Sequence, residues 1–351
     1  MKSFSIFNFH NFDNLAIFIE TLPASIAISR DLVGLENESL QSGIRNIDGF
    51  NYNEHENIQV ENEHIQYIFF EGFTERARKP EYWYIENDRL KDREERINPI
   101  QTNFVVFSHD NNIFAIVFAG INRGKALIKD IFPAETWGNV EPVIPHLNED
   151  LLYWIFKRHI DLPDESLSRE HQVFVTALES YMGKTRDNVN ALRGEGSRIS
   201  TILGTLAFLF NNENLKAVRP QIQYGNESVL IELSLTGTFK FWVNAYRGIW
   251  TRNLTGDRKQ NAVAIYIFVK IIPLLIECYN ENLRNNEWSP QLKVDFLRRL
   301  GTMIRDRVNT ELARIEGHTL KQLNAAEDAF DDIIPEEEDE LEIDDPEEED
   351  I

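Results

Sequence analysis

The sequence predicts an α+β protein: a small antiparallel sheet region, then a helical region carrying an inserted three-stranded meander. Three observations carry this expectation. Two β-branched and aromatic runs, FVVFSH and NIFAIVFAG, flank Asp110, Asn111 and Asn112; Asp and Asn tolerate the left-handed backbone of a tight turn, so 103–120 reads as a hairpin. Past Asn148 the apolar residues recur every three or four positions, the helical period. Three short runs at 216–223, 228–234 and 238–244 are joined by Gly225-Asn226 and Thr236-Gly237, links short enough to specify antiparallel neighbours.

Element by element, an aromatic opening leads to a helix over 13–21 that Pro23 stops. Residues 51–63, NYNEHENIQVENE, read as a polar loop before a strand at 64–70. A possible strand at 81–85, the 103–120 hairpin and a third strand at 125–132 complete the β-rich part. Helical spacing is found in Leu151, Leu152, Ile155 and Phe156, and again in Val173, Phe174, Ala177 and Leu178. Ser197 is placed to cap a helix over 198–210. After the meander come a long apolar helix over 259–282, kinked by Pro273, and an amphipathic helix over 291–314. The expected division is 1–135, 136–318 and a disordered acidic tail over 319–351, whose densest run begins at Glu327.

Charge locates the tail. The net charge of −22 comes from 58 acidic and 36 basic residues, and sixteen of the acids fall in 327–351, where no Lys or Arg occurs. The rest therefore has 42 acids against 36 bases, a net of −6. So mild an excess leaves room for local basic faces. The single cysteine, Cys278, excludes an intramolecular disulfide and any multi-thiolate zinc site, and its apolar neighbours make it a buried, inert thiol. The N-terminus lacks the pattern of a secretory signal, so a cytoplasmic location is expected. The apolar stretch 262–279 carries Lys270, Pro273 and Glu277, which favours a core helix and argues against membrane insertion.

No catalytic constellation emerges. Arg193-Gly194-Glu195-Gly196-Ser197-Arg198 precedes a helix but lacks the lysine and spacing of a P-loop. The group Glu54, His55, Glu56, Glu61, Glu63 and His64 has metal-ligating side chains in a spacing that matches no established site, and a solvated loop accounts for it. His159, His171 and His318 are scattered. Glu227 and Glu232 frame a strand, but Ser234 stands where a nuclease core needs lysine. No metal, cofactor or catalytic residue is assigned.

Basic residues interleaved with aromatics remain. Tyr246, Arg247, Trp250, Arg252, Arg258 and Lys259 lie in one segment leaving the meander and entering a helix. Arg and Lys neutralise phosphates while an aromatic ring stacks on a base, the usual single-strand arrangement. A second set is Arg123, Lys125 and Lys129; a third is Arg298, Arg299, Arg305 and Arg307. The competing reading of each is ordinary solvated surface, with Trp250 in the core.

The hairpin FVVFSHDNNIFAIVFAG, the following INRGKALIKDIF and the passage TLAFLFNNENLKAVRPQIQYGNESVLIEL together resemble bacterial anti-phage accessory proteins, namely the DNA-binding component of Kiwa systems and phage-exclusion proteins of the Rex type. The resemblance spans about half the chain and lies in the order of elements, so no functional residue is carried across. It implies a cytoplasmic protein that binds or senses DNA beside a partner, without metabolic chemistry of its own. Two other classes stay open: an interaction or scaffold subunit without nucleic-acid contact, and a nuclease with dispersed acids. The acidic run 336–350 imitates a phosphate backbone electrostatically and either competes with DNA for the basic surface or docks a protein partner. On the first alternative, removing residues 327–351 tightens DNA binding in a low-salt titration; unchanged affinity would point to the second.

Overall fold

In a computed structural model the described residues are 1–34, 38–85, 89–197 and 199–331, with side chains described to residue 319. The fold is mixed α and β. Its organising feature is one antiparallel sheet of thirteen strands, in the order β10-β9-β11-β12-β13-β1-β7-β6-β5-β3-β2, with β4 on β5 and β8 on β1. The strands are β1 (Lys2–Phe9), β2 (Ile28–Asp31), β3 (Ser39–Arg45), β4 (Glu56–Val60), β5 (Glu63–Ala77), β6 (Ile97–His109), β7 (Asn112–Val117), β8 (Val140–Val143), β9 (Val173–Lys184), β10 (Ala191–Glu195), β11 (Asn214–Tyr224), β12 (Glu227–Ser234) and β13 (Phe239–Phe241).

The expected hairpin is β6-β7, closed by Asp110 and Asn111 at φ 50° and 56°. The expected meander is β11-β12-β13, turning at Gly225 (φ 56°) and Gly237 (φ 77°). It does not stand alone: β11 also pairs with β9, and β13 pairs with the first residues of β1.

Several sequence expectations need correction. Residues 125–132 form no third strand; they belong to helix α3 (Ile121–Ile131), which follows α1 (Leu15–Thr21) and the single turn α2 (Arg93–Arg96). Leu127, Ile128 and Ile131 make one buried helical face there, with Lys125 and Lys129 outside. Gly124 lets α3 lie against β1, since a Cβ would come within 2.8 Å of both the Phe7 ring and Ser5 Oγ. Residues 173–178 are strand β9, not helix. The loop at 51–63 contains β4. Residues 81–85 hold a 3-10 turn (Pro80–Tyr82) and an isolated bridge from Tyr84 to Leu90. Helix α6 (Leu203–Phe210) is shorter than expected, preceded by a 3-10 turn (Ile199–Thr201).

The β1, β5, β6 and β7 part of the sheet is buried on both faces, which is why its strands read as continuous apolar runs. Alternate residues serve different cores. Phe7, Phe9, Ile68, Phe70, Phe104 and Val106 join α1, α3 and Trp137, from the turn α4 (Ala134–Trp137), in the smaller core. There Phe9 packs edge-on against Phe18, Phe132 and Trp137 at 4.9–5.9 Å. Ile6, Tyr67, Phe69, Val105 and Phe107 face the larger core, shared with α5 (Glu149–Asp161), α7 (Gly256–Tyr266) and α8 (Ile272–Arg284).

Helices α7 and α8 are continuous through a π-helical segment, Ile267–Ile271, just before Pro273. The missing Pro N–H and the ring's demand for space are met by this wider turn. Among the described residues, 256–284 is the one helical stretch long and apolar enough to cross a membrane; 67% of its most apolar window is buried inside the protein. Lys270 reaches the edge and pairs with Glu61 at 2.9 Å. Cys278 is fully buried, and burial pushes its thiol up to about 12. The last helix, α9 (Pro290–Asp331), runs well past the 291–314 expected and takes in 319–331 of the predicted tail; the tail's remainder, 332–351, lies outside the described residues.

The end of α8 is fastened to the 166–170 loop. Glu281 accepts from Ser168 Oγ at 2.5 Å and from the Arg169 N–H at 3.2 Å, while Asn282 donates to the Leu167 carbonyl and accepts from Trp154 Nε1. The hydrogen bond from Ser168 holds the Glu281 carboxyl below its usual range, outweighing burial. A carboxyl depressed in the folded state stabilises the fold above its unfolded value, about 4.3, and that contribution is lost as pH falls through the folded value. Glu281→Gln is therefore expected to lower the melting temperature at neutral pH and to flatten its fall as pH drops below about 4.3, measured by thermal melts from neutral pH into acid.

Candidate nucleic-acid interface

The basic and aromatic segment 246–259 bridges β13 and α7, and its shape is set by strand β12. Arg247 exchanges two backbone hydrogen bonds with Ser228, at 2.7 and 3.0 Å. One residue earlier, Glu227 accepts from the Ile249 N–H at 2.9 Å and from the Tyr246 hydroxyl. Burial, then the bond to Glu227, raises the Tyr246 pKa, so the phenol stays protonated and donates. Gly248 makes this possible: a Cβ there would overlap the Glu227 carboxylate and the Tyr246 hydroxyl.

On this frame the expected contact residues have different fates. Arg247 and Arg252 are exposed, and among the described residues their side chains have no hydrogen-bond or ion-pair partner. Trp250 is half-buried, edge-on to Tyr246 (centroids 6.4 Å) and Tyr266 (5.6 Å). Lys259 lies over the Tyr246 ring at 5.8 Å. Arg258 is committed to the fold: it pairs with Glu56 at 2.7 Å, donates to the Gly49 carbonyl at 3.1 Å and covers the Phe50 ring at 4.6 Å. Its bond to Glu56 raises its pKa further.

The other basic sets are not brought to this surface. Arg123, Lys125 and Lys129 are on α3, in the layer on the opposite side of the sheet from α7; Arg123 donates to the Gln101 carbonyl at 2.9 Å. Lys125 and Lys129 border a separate cleft of about 300 Å³ beside β8. On α9, Arg298 and Arg305 pair with Asp295 and Asp306, Arg299 with Asp161, and Arg307 donates to the Thr201 carbonyl at 2.6 Å. These arginines fasten the helix or satisfy its own acids.

Beside Trp250 opens a cavity of about 740 Å³, within the size range of small-molecule sites. Three distant segments build it: the β4-β5 hairpin through Asn57, Gln59 and Glu61, the β11-β12 turn through Tyr224, Asn226 and Glu227, and the loop and α7 through Trp250, Asn253 and Tyr266. The Tyr266 hydroxyl is buried with no hydrogen-bond partner among the described residues. Burial, then the charges of Glu227 and Glu61, raises its pKa, so it is a neutral donor. Glu61 pairs with Lys270, whereas Glu227 accepts only from neutral groups among the described residues. In the sequence Glu227 stands out only as an acid framing a strand that lacks a nuclease lysine, and Tyr266 not at all; no local pattern joins residues that far apart.

The acid and histidine group at 54–64 is spread along the β4-β5 hairpin, with Glu56, Glu61 and Glu63 turned to Arg258, Lys270 and His109. Among the described residues no three His, Cys, Asp or Glu side chains converge on a metal position. No protein-family model matches the chain, and no curated protein matches it.

The loop's dependence on Gly248 is directly testable. Gly248→Ala is expected to cost about 1–3 kcal/mol through overpacking, read as a lower denaturation midpoint with altered Trp fluorescence.

Proposed function

We propose that the protein binds single-stranded nucleic acid, DNA foremost, through the 246–259 loop, as the cytoplasmic DNA-binding component of a phage-defence system, with the acidic tail modulating that binding. The observation that carries the reading is that Arg247 and Arg252, both exposed and unpartnered among the described residues, flank in sequence Trp250, which lines an aromatic-walled cleft. Two free guanidinium groups supply phosphate neutralisation, and the cleft supplies a place for an unstacked base. Arg258 acts as the bolt that holds the loop to β4, and Arg123 and Lys125 lie outside the binding surface.

A second reading, an interaction subunit, is favoured by one feature: Val308, Leu312 and Ile315 repeat at helical spacing on α9 and are 38–54% exposed. The two readings predict different things of the loop. Arg247→Glu with Arg252→Glu should weaken binding to an oligothymidylate and flatten the dependence of log K on log salt by about 1.4, from about 0.7 per phosphate contact on a single strand. Unchanged affinity and slope in the folded double variant would remove the loop from nucleic-acid binding.

A further inference from the structure

We infer that the cleft beside Trp250 is a pocket for a single unstacked base and that it selects guanine. The inference deepens the reading above and rests on it. Trp250 and Tyr224 supply aromatic walls, and the amides of Asn57, Asn226 and Asn253, unpartnered among the described residues, line it as well.

The decisive group is Glu227. Its Oε1 already accepts from the Ile249 N–H and its Oε2 from the Tyr246 hydroxyl, which fixes the carboxylate and leaves each oxygen acceptor capacity. A fixed carboxylate wants two adjacent N–H donors. Among the four bases only guanine presents such a pair on its Watson–Crick edge, N1–H beside the exocyclic amine. Adenine and cytosine offer an amine next to an acceptor, which faces the second oxygen unfavourably. Thymine offers one N–H between two carbonyls. The buried Tyr266 hydroxyl supplies the complementary element, a donor for a base carbonyl or ring nitrogen. Leaving such a hydroxyl unpaired destabilises the empty protein, so a ligand acceptor relieves a cost already present in the fold.

The same charge keeps phosphate out. Glu227 has no ion-pair partner among the described residues, so the backbone of a bound strand stays outside the cleft, and Arg247 and Arg252, exposed on the segment that supplies Trp250 and Asn253, are the cations free to hold it. Charge thus sorts one nucleotide into base inside and phosphate outside.

The test is a low-salt fluorescence titration of the full-length protein with an oligothymidylate carrying one internal guanine, and with matched strands carrying adenine, cytosine or thymine at that position. The guanine strand is expected to bind about tenfold to a hundredfold more tightly, the discrimination of a good bidentate contact. Glu227→Gln should reduce it to the level of the other three. Tyr266→Phe should lose several-fold of the preference while raising the melting temperature, because it deletes an unpaired buried hydroxyl; this separates ligand recognition from folding should the Glu227 variant prove unstable. Equal binding of all four strands would overturn the guanine pocket while leaving phosphate binding by the loop intact. Failure of every strand to bind would overturn both.

Discussion

Strand β1 is hydrogen-bonded through Lys2–Phe4 to β13 and through Ser5–Phe9 to β7, and the rest of the fold depends on this double pairing. It turns what would be two sheets into one. The seam is also packed: Phe4 sits 5.5 and 5.6 Å from the rings of Phe239 and Phe241. Because alternate residues of β1 point to opposite faces, one short strand contributes Ile6 to the larger core and Phe7 and Phe9 to the smaller. A slip of one residue would exchange these sets and empty both cores.

The cleft follows from that seam. Its walls belong to the β4-β5 hairpin, from one end of the sheet, and the β11-β12 hairpin, from the other, and neither alone encloses a cavity. Two ion pairs hold the arrangement: Arg258 with Glu56, and Lys270 with Glu61, both reaching from the α7-α8 helix to the β4-β5 hairpin. Acids that look like a hydrated cluster in the sequence are therefore attachment points for a helix two hundred residues away. The loop's free cations are those that these attachments leave over.

What the sequence made legible was local chemistry. Asp110 and Asn111 announced a tight turn because their backbones need positive φ, and Gly225 and Gly237 did the same for the meander. Strand β9 was misread for a reason visible in its pairing. Thr176 and Glu179 have no partner in the register with β11, so two bulges break the alternation. The apolar residues 173, 174, 177 and 178 then show a three- and four-residue spacing that imitates a helix, although only Val173 and Leu178 among them are fully buried. Helix α3 was misread because KALIKDIF follows a hairpin and is rich in branched residues; Gly124, which permits the close approach to β1, was the overlooked signal. Of the site, the basic and aromatic texture of 246–259 could be read, but its separation into free and committed arginines required Glu56, and the cleft's acid and phenol come from elsewhere in the chain.

Helix α9 changes what the acidic run can reach. It is exposed from Arg305 to Thr319, about 20 Å of helix at 1.5 Å per residue, and it continues to Asp331. Glu327, Asp328 and Asp331, the first acids of the run, are therefore carried on a helix and not on a free chain. A rod that leaves the body in this way offers them to a neighbouring molecule's loop as readily as to the protein's own. Any masking of the basic loop becomes a property of the crowd as well as of the single chain, rising with protein concentration and falling on dilution.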